Sequence, residues 1–203
     1  MTDKTETTKN YELTTMMKQY LEIKDQYKDS IVFYRLGDFY EMFFDDAITA
    51  SRELELTLTG RDCGLPERAP MCGVPYHAVD SYLAKLIQRG YRVAICEQMT
   101  PPNKRALVKR QVVRLVTPGT VTENSILIED KNNYLLSAYS NGGKIGVAWA
   151  DISTGEFNYT FFDACALDAF NDLLCRIEPS EIICNDAMLA ESTKLSAVKI
   201  GSV

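Results

Sequence analysis

What the sequence lacks narrows it first. No run of about 18 apolar residues occurs, so no segment reads as a membrane-spanning helix. The amino terminus, MTDKTETTKN, is polar and mixed in charge, with neither the basic start nor the apolar stretch of a signal peptide. Residues 1–13 read as a disordered N-terminus. Six cysteines, at 63, 72, 96, 165, 175 and 184, include no CxxC pair, which suggests reduced, mostly buried thiols in a cytosolic protein. The sole histidine, His77, would be only one ligand of three in a zinc cluster with Cys63 and Cys72, at a spacing that matches no zinc finger. Acid is missing from one long stretch: between Gln98 and Thr122 there is no Asp or Glu, while Lys104, Arg105, Lys109, Arg110 and Arg114 all fall there.

The net charge of −6 is unevenly spread. Residues 1–125 hold 17 basic and 17 acidic residues, and residues 126–203 hold 5 and 11, so the second part carries the whole excess. Within the neutral part the basic run suits a phosphate backbone, and equally a solvated loop. The pattern of elements predicts two domains joined by a linker. LTTMMKQYLEIKDQYK reads as a helix capped by Thr14 or Thr15, with Met16, Met17, Tyr20 and Leu21 on its apolar face. SIVFYRL reads as a central strand, and a helix follows over about 45–53. ELTLTGR is a short strand, and DCGLPERAPMCGVPYH a loop rich in Gly and Pro. AVDSYLAKLIQRG is an amphipathic helix closed by Gly90, and YRVAICEQ and QVVRLVTPG are strands. After a polar linker over 119–133 come three strands with tight turns, a helix through Leu167, Phe170, Leu174 and Ile177, and a strand EIICND. The overall class is α/β (α+β), and the β-β-β-α-β order resembles the start of a ribonuclease-H-like fold. The chain then stops without an obvious domain end, so a fragment is expected.

The stretch RLGDFYEMFFDD, residues 35–46, mixes four rings with four acids. Asp45 and Asp46 suit the positive end of the following helix. Asp38 and Glu41 have no such account. Phe39 and Glu41 lie two apart, so an extended backbone points them to one side. A ring projecting beside a glycine turn can wedge into a base step from the minor groove and kink the duplex. A carboxylate nearby opposes phosphates, so it is useful only in accepting a hydrogen bond from a base edge or in penalising the wrong target. The plain alternative is a core phenylalanine and a capping or lysine-paired glutamate.

FYRLGDFYEMFFDDA resembles the Phe-x-Glu segment of the MutS family of DNA mismatch-repair proteins. APMCGVPYHAVDSYLAKLIQRGYRVAICEQM and VVRLVTPGT resemble further signature stretches of the same domain in the same order, and ADISTGEF resembles the connector domain that follows. The resemblance implies a mixed-sheet mismatch-recognition domain over 14–118, the linker over 119–133, and an incomplete connector domain over 134–203. It implies that Phe39 stacks on a mispaired base and that Glu41 hydrogen-bonds it. It places Arg61, Met71, Tyr76, His77 and Arg110 at or near DNA. It also implies lever, clamp and ATPase domains elsewhere in the full-length protein, which works as a homodimer with ATP and magnesium, meets a MutL-type partner through the connector, and resides in the cytoplasm on the nucleoid. GGKIGV fails the phosphate-loop pattern, since position 138 is Ala and Ile145 follows Lys144, so no nucleotide, metal or other cofactor is expected in this chain. Two other readings compete. Asp151, at a strand end in WADISTG, could be a metal-binding carboxylate of a ribonuclease-H-like nuclease, although Asp163, Asp168 and Glu178 have no comparable setting. The acidic second part could instead belong to a pure protein-interaction fragment.

Overall fold

A computed structural model describes residues 11–100, 108–122, 126–127 and 131–192. The chain forms two compact units, Met1–Leu86 with Val93–Leu115, and Ile87–Arg92 with Val116–Val203.

The first unit is a six-stranded mixed sheet with helices. Helix α1, Thr15–Gln26, starts where the Thr14 hydroxyl accepts the Met17 N–H at 3.4 Å. Its buried side is Met17, Tyr20 and Ile23; Leu21, expected on that side, is exposed. Strand β1, Ile31–Leu36, has Val32, Phe33 and Tyr34 all fully buried, so both of its faces lie in the core, as the apolar run predicts. Strand β2, Phe39–Phe43, returns antiparallel, and helix α2, Phe44–Leu54, begins directly after it. Strands β3, Thr59–Arg61, and β4, Ala69–Pro75, complete that side of the sheet. Helix α3, Val79–Gln88, follows a 3₁₀ turn over Tyr76–Ala78. Strand β5, Val93–Gln98, pairs parallel to β1, and β6, Arg110–Val116, lies outside it, giving the order β3-β4-β2-β1-β5-β6.

One expectation fails here. APMCGVP reads as part of a loop rich in Gly and Pro, yet Ala69–Pro75 is a strand, paired with β2 from Phe39↔Pro75 to Phe43↔Met71. Tertiary pairing overrides the weak local propensity of this segment.

Asp46 joins three elements. Its buried carboxylate accepts from the Val32 N–H at 2.9 Å, the Tyr20 hydroxyl at 2.9 Å and the Lys24 ammonium at 2.8 Å. Burial, then the charge of Asp46, push the Tyr20 phenol well above its ordinary range. Asp46 stands in the first turn of α2 as the sequence suggests, but its main work is to link α1, β1 and α2.

The second unit holds strands β7, Tyr134–Asn141, β8, Lys144–Asp151, and β9, Glu156–Asp163, then helix α4, Leu167–Ile177, strand β10, Glu181–Cys184, and a further helix α5, Asp186–Ser192. The sheet order is β10-β7-β8-β9, with β10 parallel to β7. One face, including Leu136, Ala138, Ile145 and Val147, is buried with Phe170, Leu173 and Leu174 of α4. The other carries Phe157, Tyr159 and Phe161, all at least 65% exposed. Cys63, Cys72 and Cys96 are buried and Cys184 is half-buried, whereas Cys165 and Cys175 are exposed, so the expectation of buried thiols fails at these two positions.

Candidate nucleic-acid interface

The hairpin β1–β2 turns through only Gly37 and Asp38, with Leu36 opposite Phe39. Gly37 has φ 59°, a conformation that costs a side-chain-bearing residue and that two-residue hairpins need. Along one side of β2, exposure falls from Phe39, at 47%, through half-buried Glu41 to fully buried Phe43. Of the four rings, only Phe39 projects. Phe43 packs edge-on to Tyr20 and Tyr34, with ring centroids 5.0 and 6.3 Å away. Tyr40 points to the other face, 6.0 Å from the Phe33 ring, and its hydroxyl donates to Glu97. Burial and then the Glu97 hydrogen bond push the Tyr40 phenol up to about 12. Phe44 packs partly buried against the core beneath α1, its ring 6.2 Å from that of Tyr20.

The acids differ as much as the rings: Asp38 contributes through its backbone, Glu41 and Asp46 through their carboxylates. The Asp38 carbonyl accepts the Tyr76 N–H at 2.9 Å, tying the turn to the 3₁₀ turn. Glu41 faces Gly73 of β4, where an added Cβ would come 3.2 Å from the Tyr40 carbonyl oxygen and 3.4 Å from Glu41 Cγ. Glycine there leaves room for the glutamate. Glu41 Oε2 accepts a hydrogen bond from Arg61, an ion pair whose side chains are 15% and 35% exposed. Ring and carboxylate thus emerge beside one another, the ring bare and the carboxylate partly neutralised.

The remaining sequence candidates separate. Tyr76 and His77 are exposed beside the hairpin, their rings edge-on at 5.8 Å. Met71 is half-buried opposite Phe43, its carbonyl bonded by the Thr59 hydroxyl at 3.0 Å. Lys109 is exposed. Lys104 and Arg105 lie outside the described residues. Arg110 must be corrected. It is only 9% exposed, and its guanidinium donates to the Arg35 carbonyl at 2.8 Å, Gln19 at 3.3 Å and the Val108 carbonyl at 3.2 Å, while standing 4.8 Å from the Tyr34 ring centroid. With the side chain buried and Nε and Nη1 bonded inside the protein, it is a poor phosphate contact. Charge alone could not show this, because Arg110 and Lys109 are neighbours in one basic run.

The chemistry imagined for other residues does not assemble. Asp151 Oδ1 accepts the Ser153 N–H at 2.9 Å, the Ser153 hydroxyl at 2.6 Å and the Thr154 N–H at 3.3 Å, and Oδ2 accepts the Asn133 N–H at 3.0 Å. Burial pushes its carboxyl up, but these donors outweigh it and hold the carboxyl below its ordinary range. Among the described residues no three His, Cys, Asp or Glu side chains are grouped to hold a metal. Cys63 donates to the Glu67 carbonyl, whereas Cys72 donates to the Ala47 carbonyl in α2, so the two thiols serve different packing sites.

Sequence reasoning missed Arg35 and Glu97. The only local signal is that both are charged residues near the ends of otherwise apolar strands. Arg35 stands opposite Tyr40, with its guanidinium carbon 3.9 Å from the Tyr76 ring centroid.

These units define a two-domain mixed α/β protein. Residues 14–125 match the family model described as MutS domain I, and residues 133–201 that of MutS domain II. The chain belongs to the MutS family. It is 60% identical over 175 residues to the DNA mismatch repair protein MutS of Acetivibrio thermocellus, covering 85% of this chain and 20% of that protein. It is 56% identical over 189 residues to the DNA mismatch repair protein MutS of Ruminiclostridium cellulolyticum, covering 92% and 22%. The protein of the same name in Clostridioides difficile is 54% identical over 183 residues, covering 90% and 19%. The chain therefore spans about a fifth of the length of these relatives.

Proposed function

We propose that this chain recognises mismatched double-stranded DNA for DNA mismatch repair, with Phe39 as the wedge and Glu41 as the reader of the displaced base. The observation that carries the reading is the hairpin tip: a large ring, 47% exposed, beside a carboxylate on the same side of the strand and a two-residue turn. An exposed ring at a rigid tip suits partial unstacking of a base step, and mispaired steps cost less to deform than matched ones. Membership of the family and relatives named for mismatch repair support the same assignment. Tyr76, His77 and Lys109 are the described candidates for flanking DNA contacts, joined by Lys104 and Arg105 of the basic run.

The second unit serves as a connector in the intact protein, relaying to ATPase domains and meeting a MutL-type partner; the intact protein works as a homodimer in the cytoplasm. Its net charge of −6 over residues 126–203 suits protein contacts better than phosphate contacts. ATP and magnesium belong to the ATPase domains, and this chain does no chemistry of its own.

Phe39→Ala in the intact protein is the direct test. Stacking on a base is worth about 1–3 kcal/mol, so mismatch preference falls about five- to 150-fold while weak binding to any duplex persists. Preference at the parent ratio in Phe39→Ala refutes the wedge.

A further inference from the structure

We infer that Arg35 is a positioning residue for the wedge, locking the Gly37-Asp38 turn so that Phe39 meets DNA already in its inserting orientation. The inference rests on the wedge reading of Phe39 and adds to it the device that holds the ring.

A two-residue turn carrying an exposed ring has no packing of its own to fix it. Arg35 supplies that from the opposite side of the hairpin. Its Nε donates to the Gly37 carbonyl at 2.5 Å, pinning the residue whose positive φ makes the turn. Its guanidinium lies over the Tyr76 ring at 3.9 Å, close enough for a cation–π contact, and 5.4 Å from the Tyr40 ring. One terminal nitrogen lies 3.8 Å from Glu97, the same carboxylate that receives the Tyr40 hydroxyl. The Arg35 carbonyl accepts from Arg110 at 2.8 Å and Gln98 at 3.4 Å. The Tyr76 N–H closes the arrangement on the Asp38 carbonyl. One residue therefore binds the hairpin turn to the 3₁₀ turn, β5 and β6.

The Arg35 side chain is only 18% exposed. Its planar head is stacked on Tyr76 and its Nε is spent on Gly37, which leaves it poorly placed as a phosphate contact. Lysine keeps the charge but loses both the stacking plane and the Nε donor. A loose wedge must be ordered on binding, and that cost falls on the inserted complex alone. Matched DNA, which does not take the ring, is bound without it.

The experiment measures matched- and mismatched-duplex dissociation constants at two salt concentrations, with melting temperature, for Arg35→Lys, Tyr76→Leu, Phe39→Ala and the Arg35→Lys/Phe39→Ala pair in the intact protein. Arg35→Lys is expected to weaken mismatch binding about tenfold, ~1.4 kcal/mol, leaving matched binding and its salt slope unchanged. Tyr76→Leu removes the ring beneath the guanidinium together with a candidate flanking contact, so it is expected to weaken mismatch binding more than matched binding. In the Phe39→Ala background Arg35→Lys is expected to have no further effect, since there is no ring left to position. Equal weakening of both duplexes with a shallower salt slope makes Arg35 a phosphate contact and overturns the inference. Additive losses in the double variant make it a general structural residue and overturn it too. If Phe39→Ala abolishes preference while Arg35→Lys keeps it, the positioning role alone is wrong. If Phe39→Ala keeps preference, the wedge reading falls and the Arg35 inference falls with it.

Discussion

Removing the charge of Glu41 should change matched and mismatched binding in opposite ways, and the Arg61 ion pair makes the test sharper. Glu41 and Arg61 together bring almost no net charge to the hairpin face. Glu41→Gln leaves Arg61 uncompensated, a change of one positive unit beside any bound duplex. A unit charge about 10 Å from a phosphate in water is worth ~0.4 kcal/mol, and salt screens most contributions beyond about 8–10 Å. Two or three nearby phosphates then give ~0.5–1 kcal/mol, so matched DNA should bind about two- to fivefold tighter. If the freed Arg61 reaches a phosphate, the salt slope steepens by up to ~0.9. Mismatched DNA receives the same gain but loses a charge-assisted hydrogen bond worth ~1.5–3 kcal/mol. The specificity ratio should therefore fall about tenfold or more. Arg61→Ala predicts the reverse for matched DNA: an unmasked carboxylate repels phosphates, and matched affinity falls. Glu41→Gln keeps an acceptor for Arg61, whose side chain is 35% exposed, so this variant should cost at most ~1 kcal/mol of stability. Titrations of both duplexes at two salt concentrations, with melting curves, decide the matter. Matched binding that weakens in Glu41→Gln, or a melting temperature that drops by many degrees, refutes the reasoning and makes Glu41 a structural residue.

Neighbouring basic residues should behave differently: Lys109→Ala should reduce the salt slope by about 0.9 with the fold intact, whereas Arg110→Ala should lower the melting temperature and leave the slope unchanged. Equal salt effects from both would return Arg110 to the DNA. Asp46→Ala should cost ~1–3 kcal/mol by leaving the buried Val32 N–H without its acceptor, while Lys24 keeps the Lys28 and Ser30 carbonyls, measured by denaturant unfolding; no measurable loss would show that the carboxylate is dispensable. Asp151, whose carboxyl is held low in the fold, stabilises the second unit above the ordinary carboxyl range, and that contribution is lost as pH falls through its folded value. Asp151→Asn should therefore be destabilising at pH 7 and converge with the parent protein in strong acid, where a gap that stays constant with pH would refute the ionic account.

The order of most elements was legible in the residue pattern alone. Long apolar runs such as SIVFYRL and YRVAICEQ have few ways to hide other than central strands, and the apolar spacing through Leu167, Phe170 and Leu174 has one natural reading as a helix face. The pattern also placed Phe39 and Glu41 on one side, because an extended backbone alternates its side chains. What each charged residue is for depends on partners far away in the chain. Arg110 and Lys109 look alike in the sequence, but the fold buries the first against the Arg35 carbonyl and leaves the second in water. Glu41 meets Arg61, Arg35 meets Tyr76, and Asp46 meets Val32 and Tyr20 across separations of 20, 41, and 14 and 26 residues. Charge is a property of a residue, but a partner is a property of the fold: the packing of sheet, helices and turns brought these groups within a few ångströms, and no local pattern encodes that distance.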